Sequence, residues 1–184
     1  MASLEGAIEC LKFVEHSNQD SKLLHKNDGE NGLTYFGIFQ EANPQWRGWP
    51  IILRYLEHTP DIKQCSRILA NVTDLNKLVI ELYRHKYWDS NNLGLIKDQN
   101  MAEEIFIFGV NVGMGVAVKK AQKLVGAYVD GDLGNKTLSL LNSYEPVKFD
   151  IVFDDVEIEY YEILAKKPHL AKNLKGWKNR AKAV

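Results

Sequence analysis

Residues 15–37 read EHSNQDSKLLHKNDGENGLTYFG, and this stretch decides how the chain folds. Glu15 closes a segment in which Leu4, Ala7, Ile8, Leu11 and Val14 recur at helical spacing. Ser3 is the N-cap expected for that helix. Glu15 stands four residues after Leu11, on the edge of the same apolar stripe. The residues after it carry too many turn formers to continue a helix. Thr34, Tyr35, Phe36, Gly37, Ile38 and Phe39 then have strand-like composition. The expectation is a helix ending in an acid, followed by one small hairpin or three-stranded sheet folded back over the helix end.

Helical periodicity dominates the rest of the chain. A turn-rich, aromatic loop around Asn43, Pro44, Trp46 and Trp49 leads to Pro50, which opens a short helix through Glu57. Thr59, with Pro60 after it, is the expected cap of a helix to about Ala70. Thr73 caps the next, with Leu75, Leu78, Val79, Leu82 and Tyr83 on one face, ending near Trp88. Residues 100–112 are apolar nearly all round, the signature of a buried central helix. Gly113 breaks it, and a second helix runs to about Val125. A turn at Asp130, Gly131 and Asp132 precedes a helix to Asn142, capped by Asp132 or Asn135. Pro146 opens a long helix to about Lys166, with Phe149, Val152, Phe153, Val156, Tyr160, Ile163 and Leu164 inward. A last short helix carries Trp177 and Arg180. The fold class expected is therefore mainly α, with a small β-hairpin at a cleft.

The bulk numbers narrow the function. A chain of 184 residues with 45% hydrophobic and 26% charged residues can build a real core. A net charge of -1 gives no global pull toward nucleic acid. Lys166, Lys167, Lys172, Lys175, Lys178, Arg180 and Lys182 make the C-terminal stretch basic, a solvated helix face by the ordinary reading. No apolar run approaches the roughly 20 residues of a membrane span. The N-terminal residues lack the pattern of a signal peptide. Cys10 and Cys65 are expected as free, buried thiols of a chain made in a reducing cytosol. The five histidines show no metal-ligand spacing, and the Asp130 turn lacks the ligands of a calcium loop. His16, beside Glu15, is placed to tune that acid, but a surface position is the ordinary reading.

Glu15 is the residue with chemical promise. A carboxyl held against apolar surface keeps its proton to higher pH, and such an acid can protonate a glycosidic oxygen. Asp28 and Thr34, from the polar excursion and the hairpin, can hold a water opposite it. In inverting hydrolysis the two carboxyls stand roughly 6.5–9.5 Å apart. Trp46 and Trp49 are candidates to stack on sugar rings, with Tyr35 and Gln40 as further substrate contacts. Aromatics are equally ordinary core material, and Trp88 is read as packing.

These residues carry a family resemblance. Glu15, then Asn27 to Ile38 with Asp28, Gly29, Gly32, Thr34, Gly37 and Ile38, resembles the N-terminal motif of glycoside hydrolase family 108. That family shows Glu-Gly-Gly and then Asp-Pro-Gly-Gly-x-Thr-x-x-Gly-Ile. Tyr87 and Trp88, Asn111 with Gly113, Ala121 to Gly126 with Asp130 to Thr137, and Gly176 with Trp177 and Arg180 resemble its later motifs in order. His16 and Ser17 replace the two glycines after the acid, the segment before Asp28 is longer, and Glu30 and Asn31 interrupt the second glycine position. Asp20 and Glu30 therefore stand beside Asp28 as choices for the second carboxylate.

The resemblance implies a lysozyme-like N-acetylmuramidase of phage or prophage type, an endolysin acting bacteriolytically on peptidoglycan strands. It implies Glu15 as general acid, with Asp28 and Thr34 as its catalytic partners. Residues 1–98 would be the catalytic part, and 99–184 a helical part resembling a peptidoglycan-binding segment, packed into the same globule. No cofactor, metal, nucleic acid or membrane partner is implied, and a monomer is expected. Without a signal peptide, the protein would reach the wall in the periplasm by release or export. Two other readings stay open: a non-catalytic wall-binding or secretion-assisting protein, and a lytic transglycosylase.

Overall fold

Ser3 opens the first helix as its sequence predicts, its Oγ accepting from the Gly6 amide at 3.1 Å. That helix, α1, spans Leu4–His16. The computed structural model describes residues 1–27 and 31–184. Asp28 and Glu30 thus lie outside the described residues. Three two-residue strands follow α1: β1 (Leu24–His25), β2 (Thr34–Tyr35) and β3 (Ile38–Phe39). They form one antiparallel sheet in that order, with His25 opposite Thr34 and Thr34 opposite Phe39. The remaining helices are α2 (Gly48–His58), α3 (Ile62–Leu69), α4 (Thr73–Tyr83), α5 (Gln99–Val112), α6 (Met114–Val125), α7 (Asn135–Leu141), α8 (Pro146–Ala165) and α9 (Leu174–Ala181). The mainly α fold with a small sheet is the one the sequence predicts. Among the described residues no helix is long and apolar enough to cross a membrane.

The chain divides into two compact units. One is the continuous stretch Lys12–Tyr83; the other combines Met1–Leu11 with Arg84–Val184. In the second unit the N-terminus is tied down within its own unit. The Ala2 amide donates to Ile96 O at 2.8 Å, and the Ser3 amide donates to Gln99 Oε1 at 2.7 Å. Helix α5 is buried at Met101, Ala102 and from Glu104 to Gly109. It ends at Gly113, whose φ of 95° is glycine's territory. Trp88 packs edge-on against Phe106 with ring centroids 5.6 Å apart, so its expected packing role holds.

Helix α8 turns Phe149 and Phe153 inward as predicted, but its buried face is rotated toward Glu157 and Tyr161. Its buried residues are Phe149, Phe153, Glu157 and Tyr161, a strict four-residue step, whereas Ile163 is 52% exposed. Tyr161 anchors that face. Asn111 donates to its hydroxyl at 2.7 Å, and Trp177 stacks on its ring at 5.2 Å. Two of the later sequence motifs, one holding Asn111 and one Trp177 and Arg180, thus meet at a single tyrosine. A third works similarly. Buried Gln122 donates to Asp130 Oδ1 at 2.7 Å and Asp132 O at 2.9 Å, and accepts from the Gly131 amide at 2.8 Å. The Asp130 turn is therefore held by a glutamine from α6. Helix α7 begins after Gly134 with no side-chain cap, where Asp132 or Asn135 was expected.

Candidate active site

The Lys12–Tyr83 unit contains the stretch that the sequence singled out. Helix α1 ends abruptly: the Ser17 amide donates to Phe13 O at 2.7 Å, and Ser17 and Asn18 take left-handed φ of 50° and 55°. Two non-glycine residues in this region cost stability, roughly 1–2 kcal/mol each. They turn the chain sharply and leave Glu15, half-buried, in the last helical turn. A single α3 side chain then fixes the returning segment. Ser66, fully buried, donates through Oγ to Asp20 O and accepts from the Leu24 amide at 2.9 Å. The cap of α3 is Asp61, whose Oδ1 accepts from the Gln64 amide at 2.6 Å, rather than Thr59. Asp61 directly precedes the helix with extended backbone, as an N-cap must.

These elements enclose a cleft of about 440 Å³ lined by Glu15, His16, Ser21, Lys22, Leu24, His25, Lys26, Ile62 and Lys63. That volume falls within the roughly 300–1,000 Å³ of small-ligand sites. His16 is only 3% exposed, a correction to its expected surface position. Its ring lies edge-on to Phe36 at 5.8 Å and 6.2 Å from His25. Phe36 of the hairpin turn packs over the ring and covers it. The His25 Nδ1 lies 3.1 Å from Lys22 O.

Thr34 is buried in the central strand, directly across the ladder from His25 of the cleft wall. The two-residue hairpin turn after it takes positive φ at both positions, Phe36 at 50° and Gly37 at 76°, as tight β-hairpins commonly do. Tyr83 Oη donates to Phe36 O at 2.8 Å and holds the turn in place. A Cβ at Gly37 would meet that hydroxyl at 3.0 Å.

The expected sugar-contacting residues gather elsewhere in the same unit. Tyr35 is fully buried and stacks on Trp46 at 6.3 Å, and Trp49 is 3% exposed and meets Trp46 edge-on at 5.1 Å. Burial, and secondarily the Asp20 carboxylate, pushes the Tyr35 hydroxyl well above its ordinary pKa. Trp46 and Trp49 donate their indole N–H groups to Leu78 O and Asn43 O. Tyr35 and Trp49 are core residues, so neither offers a free ring face to a sugar. Trp46 is half-buried. Gln40 braces the hairpin, accepting at Oε1 from the Leu33 amide at 3.0 Å. None of these four lines the Glu15 cleft. Asp20, a choice for the second carboxylate, is paired with Lys12 at 2.8 Å. Asp28 and Glu30 fall outside the described residues.

Sequence reasoning missed Lys22, Lys26, His25, Lys63 and Ser66. The first three lie inside the stretch it examined but carry no motif. Lys63 and Ser66 come from a helix distant in sequence, and no local pattern announces their return.

Two comparisons place the chain among known proteins. A family model described as glycosyl hydrolase 108 matches residues 18–113, just over half of the chain. The matched stretch begins at Asn18, shortly after Glu15. The solved structure of Brucella abortus SagA superposes with a TM-score of 0.56 at 19% identity, covering 94% of this chain and 93% of that one. At that identity the likeness is one of fold. No curated protein sequence matches the chain.

Proposed function

The chain belongs to the glycosyl hydrolase 108 family, and from that premise we propose that it cleaves peptidoglycan at the β-1,4 bond between N-acetylmuramic acid and N-acetylglucosamine. The observation that carries the reading is the position of Glu15. It stands in the last turn of α1, on the wall of a cleft made by the loop, β1 and α3. A carboxylic acid in that place can give its proton to the glycosidic oxygen as the bond breaks. Asp28 and Thr34 are its proposed partners in directing water to the anomeric carbon. The cell wall is the proposed place of action.

The product identifies the reaction. A hydrolase adds water and leaves a reducing N-acetylmuramic acid end, which borohydride converts to muramitol. Digested sacculi are expected to yield such ends. A transglycosylase lets the muramic 6-hydroxyl attack instead, giving a 1,6-anhydro product lighter by one water in mass spectrometry. Anhydro ends dominating from the first minutes would end the hydrolase assignment. Reducing ends on N-acetylglucosamine would mean that the other glycosidic bond is cut. Sacculi that bind the protein tightly yet release no muropeptides would leave only a wall-binding role.

Thr34→Ala and Asp28→Asn test the proposed partners of Glu15. Each is expected to lower turnover about ten-fold or more, with a smaller effect on retention by sacculi. Were Asp20→Asn or Glu30→Gln the damaging change instead, the second carboxylate would have to be reassigned.

A further inference from the structure

The lining of the Glu15 cleft is electrostatically lopsided. Among the described lining residues there is one carboxylate, Glu15, against Lys22, Lys26 and Lys63, with His16 and His25 beside them. The chain as a whole carries a net charge of -1, so bulk composition does not produce this excess. The three lysines come from three places: the turn before β1, the residue after it, and the first turn of α3. All three are exposed, and none forms an ion pair among the described residues. Nearby described carboxylates are engaged elsewhere, Asp20 with Lys12 and Asp61 with the Gln64 amide of α3. Lys63 is also poorly placed for stability, since a cation in the first turn of a helix opposes the helix dipole.

We propose that Lys22, Lys26 and Lys63 form a carboxylate-binding rim that recognises the peptide stems of peptidoglycan beside the scissile bond. The inference rests on the reading of the site given above and names the part of the substrate that the cleft selects. The sugar backbone itself is a chain of neutral N-acetyl groups and hydroxyls. Its negative charge comes from the carboxylates of the stems attached to muramic acid. Lysine suits such a target, because its ammonium is a point charge on a flexible stem and tolerates carboxylates at varied positions. A rim of this kind raises the local concentration of anionic substrate and weakens as salt screens it. Glycan without stems, such as chitin, offers the rim nothing.

The test crosses protein charge with substrate charge. Glu15→Gln protein, expected to hold substrate without cutting it, is sedimented with three materials: untreated sacculi, sacculi whose carboxylates have been amidated with carbodiimide and ammonia, and glycan stripped of stems by an amidase and then amidated in the same way, which neutralises the lactyl carboxylate that stem removal exposes on each muramic acid. In the same background, Lys22→Gln, Lys26→Gln and Lys63→Gln together are expected to weaken binding to untreated sacculi at least about five-fold at low salt. Amidating or stripping the wall should weaken the parent to the same level, and combining protein and substrate changes should add nothing. The triple Lys→Arg protein should bind as the parent does. Undiminished binding of the triple Lys→Gln protein to untreated sacculi would overturn the proposal. So would an equal loss on amidated sacculi, or full binding of the parent to stripped glycan. The catalytic reading fails separately, when wild-type protein releases no muropeptides from sacculi that it binds in this charge-dependent way.

Discussion

Replacing Glu15 with glutamine is expected to cut the release of soluble muropeptides from purified sacculi by at least about 10²-fold. Glutamine keeps the shape and polarity of the side chain and removes only the ionisable proton. The residue sits in the last turn of α1, where a negative charge opposes the helix dipole, so neutralising it does not weaken that end of the helix. The melting temperature should therefore stay within about 3 °C of wild type. Loss of activity with an unchanged melt isolates the proton as the missing element. More than about a tenth of the activity surviving would take Glu15 out of the acid role, because positioned acid catalysis is worth about 10²–10⁴-fold.

The second large effect is on stability and belongs to the unit that does not contain Glu15. Glu104 of α5 is fully buried and forms no ion pair among the described residues. Burial, then the carboxylates of Glu157, Asp154 and Asp150 on α8, pushes its pKa from 4.5 to about 10. Glu157, 2% exposed, is pushed to about 9 by burial and by Asp154, against the pull of Arg180. In the unfolded chain both titrate near 4.5, so at higher pH the folded state holds protons that the unfolded state has lost. Stability from these groups is fully present below about pH 4.5 and declines as pH rises toward 9–10. Each pKa unit is about 1.4 kcal/mol, and relaxation of the site recovers part of the total. A loss on the order of 3 kcal/mol between pH 5 and pH 9 lowers the melting temperature by about 6–12 °C. Glu104→Gln is expected to match wild type at pH 5 and to melt higher at pH 9. Parallel melting curves for the two proteins across that range would show that Glu104 does not hold its proton in the fold.

Some of this was legible in the sequence, for physical reasons that particular residues illustrate. Leu4, Ala7 and Leu11 are fully or nearly fully buried because helical periodicity writes the core face directly. Gly113 and Gly126 mark helix ends because the left-handed or positive-φ backbone there suits glycine. Tertiary competition hid the rest. Thr59 and Asp61 are both good caps, and only the observed bond to the Gln64 amide chooses between them. Tyr35 and Trp49 have the composition of a sugar platform and of a core alike, and packing around Trp46 assigned them to the core. Tyr161 is buried more deeply than Tyr160 because Asn111 and Trp177 claim it. Glu15 was legible as the acid candidate, whereas the cation-rich wall around it was not, since Lys63 returns from a helix beyond any local pattern.

The division of the chain has a consequence for how the protein comes into being. Synthesis proceeds from the N-terminus, and domains generally fold as units as they emerge. All of Lys12–Tyr83 is synthesised before any residue of α5 to α9. Met1–Leu11 belongs to the unit completed last, and its acceptors Ile96 and Gln99 are translated after every residue of the other unit. Helix α1 thus finds its partners from two generations of chain. Its last turn, with Glu15, can settle on nascent α3 and β1, while its first turns wait for the C-terminal half to arrive.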